Sequence, residues 1–347
     1  MWGGRSAGLR LVVSTLKPKL LVVELRGLGD LVIATPFLQA ASGHYTVTVL
    51  AKPYAKDLQA RFWPNVEVVP FVAPWTAFKH KYRLLRWRWA EFLRLHKNLA
   101  AQRFEVGLSA RWDPRDHFLL WLADAKTRLG FPRMGSGMFL TQVLTRPDPS
   151  AHHYENWRVV ARSLGFTLPP HEKLELGATH PYGEVLVHTG AGQPVRVWPL
   201  DRFRQLVARL RQANYRVQIA CDPDQREWWL QAGESGVVTP RTVADLLSFI
   251  DRAVVFIGND SGPGHLAAFC GVPTFTLFGA QIPEWFAPLH PGSQFLEGKA
   301  CPYKPCSDYC RFRVPICLWN VSEEEVWSHI QPFVQRHLPE PTAAAKV

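Results

Sequence analysis

The sequence predicts an α/β protein with two doubly wound parallel sheets, one in each half of the chain. Short apolar segments alternate with segments of helical periodicity, and this series occurs twice. A proline-rich stretch, Thr167 to Tyr182, separates the two series and indicates an interdomain linker. The length of 347 residues is sufficient for two separate cores. We therefore expect two Rossmann-like domains that face a central cleft, residues 1–175 and 183–347. Whether the final helix packs on its own domain or back on the first stays open.

In the first half, the nearly unbroken apolar run Lys19–Leu25 is typical of a buried parallel strand. The other strands predicted in this half are Tyr45–Leu50, Val66–Pro70 and Phe104–Ser109. The predicted helices are Leu31–Ala41, Lys79–Ala101, Asp116–Ala123 and His152–Leu164. Arg128–Thr145 is rich in glycine, methionine and phenylalanine, and we expect a loop there.

The second half repeats the alternation. Its predicted strands are Val185–His188, Arg216–Cys221, Ala253–Ile257 and Val272–Leu277. Its predicted helices are Asp201–Ala213, Asp222–Ala232, Val243–Asp251, Gly264–Cys270 and Ser322–Arg336. In the last of these, Ser322 stands at the N-cap and Glu325 at the capping-box position.

The charge balance indicates the class of partner. The formal net charge is +11, an excess that favours anionic partners such as nucleotide phosphates, nucleic acid or an anionic membrane face. No apolar run reaches the ~18–20 residues that cross a bilayer. The first residues lack an apolar core followed by a small-residue cleavage site, so we expect no signal peptide and a cytoplasmic protein.

The most informative motif is the run from Gly258 to Leu266, which follows an apolar strand and precedes an apolar helix. A helix that opens after a glycine-rich turn offers free N–H groups and a positive dipole end to a phosphate or diphosphate. Asp260 and Ser261 can cap that helix or bind ligand hydroxyls. A capped turn that binds no ligand is the alternative interpretation.

A second motif follows the first strand, where open parallel sheets place their ligand crevice. It consists of Arg26, Gly29 and Asp30, with Thr35 and Pro36 five residues further on. The carboxylate of Asp30 can accept a proton from an incoming hydroxyl as a general base, or it can cap the helix.

A third motif is the glycine turn at 188–193, which precedes Arg196 and the Trp198-Pro199 step. A fixed guanidinium can hold phosphate oxygens in a bidentate fork and offset the charge on a departing diphosphate. A surface arginine beside a structural tryptophan is the alternative here. Three such turns at strand ends converge on one cleft between the domains.

In this order the three motifs resemble glycosyltransferase family 9, the family of the ADP-heptose–lipopolysaccharide heptosyltransferases. The resemblance spans most of the chain, and the Gly258-Asn259-Asp260-Ser261-Gly262 stretch is its most specific part. It implies a GT-B fold with an N-terminal acceptor domain and a C-terminal donor domain. It also implies inverting transfer of a sugar, typically heptose, from a nucleotide diphosphate sugar to a lipopolysaccharide core acceptor.

The resemblance also implies roles for individual residues. Asp30 is the expected general base, and Arg196, where the family usually has lysine, is the expected diphosphate ligand. The expected donor-binding residues are Thr189, Gly190, Ala191, Asp224, Asn259, Asp260, Ser261, Gly262, Gly264 and His265. The expected acceptor-binding residues are Arg26, Gly29, Arg83 and Arg86. We expect no required cofactor and no metal, although a divalent metal stays possible.

The expected partners are the nucleotide-sugar donor and a phosphorylated glycolipid. The basic aromatic segment 79–101 suits that acceptor or an anionic membrane surface, which would make the protein peripheral on the inner membrane, but it also suits a solvated helix face. We expect no nucleic-acid partner and a monomer. A non-catalytic nucleotide-sugar-binding protein is the main alternative function, and a nicotinamide-dependent oxidoreductase is a weaker one because the Gly-x-Gly-x-x-Gly fingerprint is missing.

The six cysteines do not predict a disulfide scaffold in a chain of this length. Cys221 and Cys270 lie in apolar segments and are predicted to be core thiols. The remaining cysteines form a cluster near the end of the chain: Cys301, Cys306, Cys310 and Cys317. Their spacing does not match paired zinc knuckles, and the family resemblance favours a structural loop of reduced thiols over a metal site.

Overall fold

The computed structural model describes residues 17–76, 89–177, 183–306 and 309–338. The first half forms a six-stranded parallel sheet in the order β3-β2-β1-β4-β5-β6. Its strands are β1 (Lys19–Val23), β2 (Thr46–Ala51), β3 (Glu67–Pro70), β4 (Val106–Leu108), β5 (Thr127–Gly130) and β6 (Gln142–Val143). Its α-helices are α1 (Leu28–His44), α2 (Ala55–Phe62), α3 (Trp89–Ala101), α4 (Pro114–Leu122) and α5 (Tyr154–Ser163). Val22 of β1 is in register with Val49 of β2 and with Leu108 of β4. After Lys19 the strand is buried, which is why its apolar run is unbroken.

The second half forms a five-stranded parallel sheet in the order β11-β10-β9-β7-β8. Its strands are β7 (Glu184–His188), β8 (Val217–Ala220), β9 (Ala253–Asn259), β10 (Thr274–Phe278) and β11 (Gln294–Glu297). Its α-helices are α6 (Leu200–Gln212), α7 (Arg226–Gln231), α8 (Val243–Ile250), α9 (Gly262–Phe269), α10 (Pro283–Phe286), α11 (Ile316–Trp319) and α12 (Glu323–His337). The predicted α/β class with two parallel sheets is thereby confirmed.

The expectation of a loop over 128–145 is wrong at both of its ends. β5 and β6 lie there, and β5 pairs in parallel with β4 on one side and with β6 on the other. These strands have only four and two residues, so neither carries a continuous apolar run. Between the two strands, Gly135 has a positive φ of 79° and precedes a short 3-10 turn. This turn is the irregular part of the segment that the glycine-rich composition correctly indicates.

The final helix packs on the second half. Ser322 caps α12 by accepting a hydrogen bond from the Glu325 N–H at 3.1 Å. Its buried side chains Val326, Ile330 and Phe333 belong to the same apolar cluster as Val255 of β9.

One apolar cluster crosses from one half to the other. It includes Leu31 and Phe37 of α1 together with Leu266 and Phe269 of α9. Beside it, Asp57 of α2 accepts hydrogen bonds from the N–H groups of Val243 and Ala244, at 3.1 and 3.2 Å, and so caps helix α8 of the other half. This joint holds the carboxyl ends of the two sheets face to face.

Candidate active site

A cavity of about 850 Å³ lies between the carboxyl ends of the two sheets. The first half contributes the turn between β1 and α1 and the segment after β4. The second half contributes the turn after β7 and the turn between β9 and α9. The polar groups of both halves therefore face one space, as the three sequence motifs predict.

Asp30 lies in the first turn of α1, and its side chain is 23% exposed to the cavity. One carboxylate oxygen accepts a hydrogen bond from the Gly27 N–H at 3.2 Å, and the other lies 3.6 Å from Nη1 of Arg26. Burial by itself would raise the pKa of Asp30, but the guanidinium groups of Arg26 and Arg111 outweigh it and hold the pKa below the ordinary value. The carboxylate is thus ionised at neutral pH, and it both caps the helix and faces the cavity.

A buried ionic network that the sequence interpretation missed lies behind Asp30. Nη1 of Arg111 is 3.3 Å from Asp116 and 3.9 Å from Glu24. Burial raises the pKa of Glu24 to about 7 and that of Asp116 to about 6, against the opposing effect of Arg111. Glu24 follows β1 directly, Arg111 lies shortly after β4, and Asp116 lies in the first turn of α4. The pairing of β1 with β4 brings them together, and no local sequence pattern indicates them.

Arg196 and Asp260 form the opposite wall. Arg196 Nη1 lies 3.4 Å from Asp260 Oδ2, and the guanidinium is 24% exposed. Burial raises the pKa of Asp260 to about 6 although Arg196 opposes the rise. Ser261 is the N-cap residue of α9, yet its buried hydroxyl makes no hydrogen bond within the described part of the chain. A polar group of this kind at a helix N-terminus is available to a ligand oxygen.

Thr189 and Asn259 are buried and hold the turns together. The Asn259 amide donates to the Thr189 carbonyl oxygen at 2.9 Å, and its side-chain oxygen accepts from the Trp198 N–H at 3.0 Å. The Thr189 hydroxyl donates to Gln225 at 2.8 Å. These side chains fix the positions of the turns that carry Arg196 and Asp260.

The two helix N-termini meet directly. A Cβ atom on Gly29 would lie 2.6 Å from Cδ2 of His265, and one on Gly262 would lie 2.7 Å from Cβ of Leu28. Glycine at both positions is therefore what allows α1 and α9 to approach this closely. Burial lowers the pKa of His265 to about 4, so the imidazole is neutral at this contact.

The structure separates the predicted residues into three groups. Those that line the cavity are Arg26, Gly29, Asp30, Ala191, Arg196, Asp260, Ser261, Gly262 and His265. Those that do not line it are Thr189, Gly190, Asp224, Asn259 and Gly264. Arg83 and Arg86 lie outside the described residues, since α3 is described from Trp89 onwards.

The structure favours Asp222 over the predicted Asp224. Asp222 follows β8 directly and lines the cavity, whereas Asp224 is exposed in the next turn. The predicted helix over 222–232 begins as a 3-10 turn at Pro223, which turns Asp224 outward. A Cβ on Gly190 would lie 2.2 Å from Cγ of Asp222, so this glycine makes room for that carboxylate.

A second cavity of about 480 Å³ adjoins the first. His188, Asp222 and Pro263 line both, and the far wall is formed by residues 240–243 of the second half together with Pro53 and Tyr54 of the first. The two cavities adjoin, and the wall of the smaller one combines apolar side chains with the polar side chains of Asp57, Arg241 and Thr242.

The described residues contain no group of three or more His, Cys, Asp or Glu side chains arranged to hold a metal ion. Cys221 and Cys270 are buried, as predicted, and all six cysteines are free thiols. Among the same described residues, no helix is both long enough and apolar enough to span a bilayer.

The family profile of glycosyltransferase family 9 (heptosyltransferase) matches residues 92–312, which is more than half of the chain. The chain belongs to glycosyltransferase family 9. It is 32% identical over 113 residues to lipopolysaccharide heptosyltransferase 3 of Escherichia coli K12, a match that covers 30% of the chain and 33% of that protein. It is 26% identical over 210 residues to lipopolysaccharide heptosyltransferase 1 of Pseudomonas aeruginosa, covering 53% of the chain and 59% of the relative. The chain thus spans a third to three-fifths of the length of these curated relatives.

Solved family 9 structures share the fold over nearly their whole length. A family 9 glycosyltransferase from Veillonella parvula superposes with a TM-score of 0.73 at 19% identity, covering 92% of the chain and 98% of its own. The E. coli heptosyltransferase WaaC with ADP gives 0.71 at 16% identity, covering 91% and 99%. These similarities confirm the predicted GT-B arrangement of two Rossmann-like units around a cleft.

Proposed function

We propose that this family 9 protein transfers a heptose from ADP-heptose to a phosphorylated lipopolysaccharide-core glycolipid, with inversion at the anomeric carbon. The observation that carries the proposal is that one cavity is lined by Asp30, in the first turn of α1, and by the ion pair of Arg196 with Asp260, which directly precedes the N-cap of α9. A similar protein, WaaC of E. coli, has been solved with ADP and with ADP-2-deoxy-2-fluoro heptose, which supports this choice of donor.

Asp30 is proposed as the general base. Its lowered pKa keeps it ionised, so it can take the proton from the acceptor hydroxyl as that oxygen bonds to the anomeric carbon. The bond from that carbon to the diphosphate oxygen breaks in the same step, and the electron pair leaves on ADP. This single displacement needs no nucleophilic side chain and inverts the anomeric centre.

Arg196 and the N-terminus of α9 are proposed to hold the departing diphosphate. Both present positive charge or N–H groups to the same wall of the cavity, and the free Ser261 hydroxyl adds a donor. These fixed positive groups would stabilise the negative charge that develops on the leaving oxygens. Because these groups already supply a positive field, we propose that no divalent metal is required, and chelation by EDTA should leave the rate unchanged.

The smaller cavity is proposed to take the nucleoside of the donor. Pro53, Tyr54 and Val243 offer apolar and aromatic contacts to a base, and Arg241 and Thr242 add polar ones. Asp222 lies at the junction with the main cavity, where a ribose would donate hydroxyl hydrogen bonds.

The first half is proposed to bind the acceptor. Cationic side chains line its wall of the cavity: Arg26, Lys52, Arg111, Arg115 and Arg133. Arg111 and Arg115 are already paired with Asp113 and Asp116. Phosphate groups of a core glycolipid would therefore meet mainly Arg26, Lys52 and Arg133.

The deciding experiment compares Asp30→Asn with the parent in two assays. Transfer of heptose from ADP-heptose to a core acceptor lacking that sugar should fall by about 10²- to 10⁴-fold. The affinity for ADP, measured by calorimetry, should hardly change. Asp201→Asn is the matched control, since Asp201 also lies in the first turn of a helix but outside the cavity. Unchanged transfer by Asp30→Asn would instead favour a protein that binds nucleotide sugars without using this base.

A further inference from the structure

An aromatic–methionine patch lies on the first half, beside the mouth of the cavity. We define it by Phe118 and Trp121 of α4 together with Met134, Met138 and Phe139 of the following loop. Trp121 is 50% exposed, and Met134 and Met138 are 85% and 79% exposed. Apart from Met1, these are the only methionines of the sequence, and both stand on this one surface.

The rings of the patch form a supported cluster. Phe118 and Trp121 stack with centroids 5.7 Å apart, and Phe139 lies within 5.5 Å of Phe118 and 6.1 Å of Trp121. Arg128 fixes the backbone beneath them by donating to the Phe139 carbonyl oxygen at 2.7 Å. The apolar groups are thus held outward by the fold, as expected of a surface that meets a partner.

The loop presents one methionine at a conformational cost. Met134 has a positive φ of 51°, a region that side chains other than glycine rarely adopt. The adjacent Gly135 completes the turn, and the Ser136 hydroxyl accepts a hydrogen bond from the Arg133 N–H at 3.0 Å. The structure therefore keeps a large apolar side chain at the tip of an exposed turn.

The patch is continuous with the cationic wall of the cavity. Arg133 and Met134 both line the cavity, and Arg133 is exposed. Arg115 lies one helical turn before Phe118 on α4 and is paired with Asp113. A surface with aromatic and methionine side chains at its centre and an exposed arginine at its edge matches the boundary between acyl chains and anionic headgroups.

We propose that this patch docks the protein on the surface of an anionic phospholipid bilayer. Trp121 and the two methionines enter the headgroup boundary, and Arg133 lies over anionic headgroups. The orientation that this gives, with the cavity mouth facing the lipid that carries the acceptor, rests on the proposed function. The docking itself rests on the patch alone.

The test is co-sedimentation of the full chain with vesicles of phosphatidylethanolamine and phosphatidylglycerol, without donor or acceptor. The parent should bind them, bind vesicles of phosphatidylcholine less well, and lose affinity as salt is raised. Trp121→Gln/Met138→Gln should bind about tenfold more weakly. Trp319→Gln is the matched control, because Trp319 is 44% exposed on the second half, away from the patch. Thermal unfolding should show that all variants are folded.

Three results would overturn the proposal: no binding of the parent to the anionic vesicles, equal binding by the patch variant, or a parent dimer that the patch variant converts to monomer. Failure of the proposed function is seen separately. Transfer to a water-soluble, lipid-free acceptor should be the same for the parent and the patch variant, and its absence in both would count against the transferase proposal while leaving the vesicle result intact.

Discussion

Replacing Gly29 by alanine tests whether the contact between α1 and α9 sets the site. The new Cβ would lie 2.6 Å from Cδ2, 3.2 Å from Nε2 and 3.3 Å from Cγ of His265. The His265 ring is buried, so it cannot rotate away freely, and either the ring or one helix must shift. Such overpacking costs about 1–3 kcal/mol, whereas alanine in place of glycine within a helix returns about 0.5–1 kcal/mol. We expect a net loss of roughly 0–2.5 kcal/mol in the free energy of unfolding.

The same helix supplies the control. Gly43 also lies in α1, but a Cβ there would meet nothing within 4 Å, so Gly43→Ala should stabilise the protein by about 0.5–1 kcal/mol. Denaturant unfolding of both variants measures the difference. In a His265→Ala background the cost of Gly29→Ala should largely disappear, because the clashing atoms are gone. The reasoning is refuted if Gly29→Ala is as stable as Gly43→Ala, or if removal of the imidazole does not relieve it.

Three further predictions follow from the same geometry. Asp222→Asn should weaken ADP binding in calorimetry several-fold, whereas Asp224→Asn should not; the reverse ranking would restore the sequence-based assignment. Asp57→Ala should lower the free energy of unfolding by about 0.5–2 kcal/mol because the Val243 and Ala244 N–H groups lose their acceptor while Thr242 still caps α8, and Asp57→Asn should keep most of that stability. His265 is neutral in the folded protein down to about pH 4, so between about pH 6.5 and 4 only the unfolded chain gains its proton, and the parent should lose stability relative to His265→Gln by at most ~1.4 kcal/mol per pH unit. Parallel pH–stability curves for the two would contradict that linkage.

Strands with long apolar runs could be predicted from the sequence. Lys19–Leu25 and Ala253–Ile257 were predicted as strands because both faces of a parallel strand are buried and the apolar run is therefore unbroken. β5, β6 and β11 were missed because they are short and lie at or near sheet edges, where β11 alternates between half-buried and exposed residues. Pairing with a neighbour, which no local pattern encodes, makes them strands.

The site divides in a similar way. The place of Asp30 and Asp260 at the cavity could be predicted, because in each case the turn and the helix start are visible in the sequence. Glu24 and Arg111 could not, because they become neighbours only when β1 pairs with β4, and a lone charged residue at a strand end has no distinguishing neighbours in sequence. Asp222 lines the cavity and the predicted Asp224 does not, because a shift of two residues in this turn changes which side chain faces the cavity.

The contacts between the two halves differ in how much free energy it would take to break them. The charged contact there, Arg61 with Asp251, is exposed on both sides and is worth at most about 1 kcal/mol. The apolar cluster that links α1 to α9 is different, because opening it would expose buried side chains such as Leu31, Leu266 and Phe269, each worth roughly 1.5–3 kcal/mol of burial. We therefore expect the contact between α1 and α9 to persist while ligands exchange. Under the proposed function, donor and acceptor would enter through the open mouth of the cavity, and the packing of Gly29 and Gly262 would set the distance between Asp30 and the leaving group.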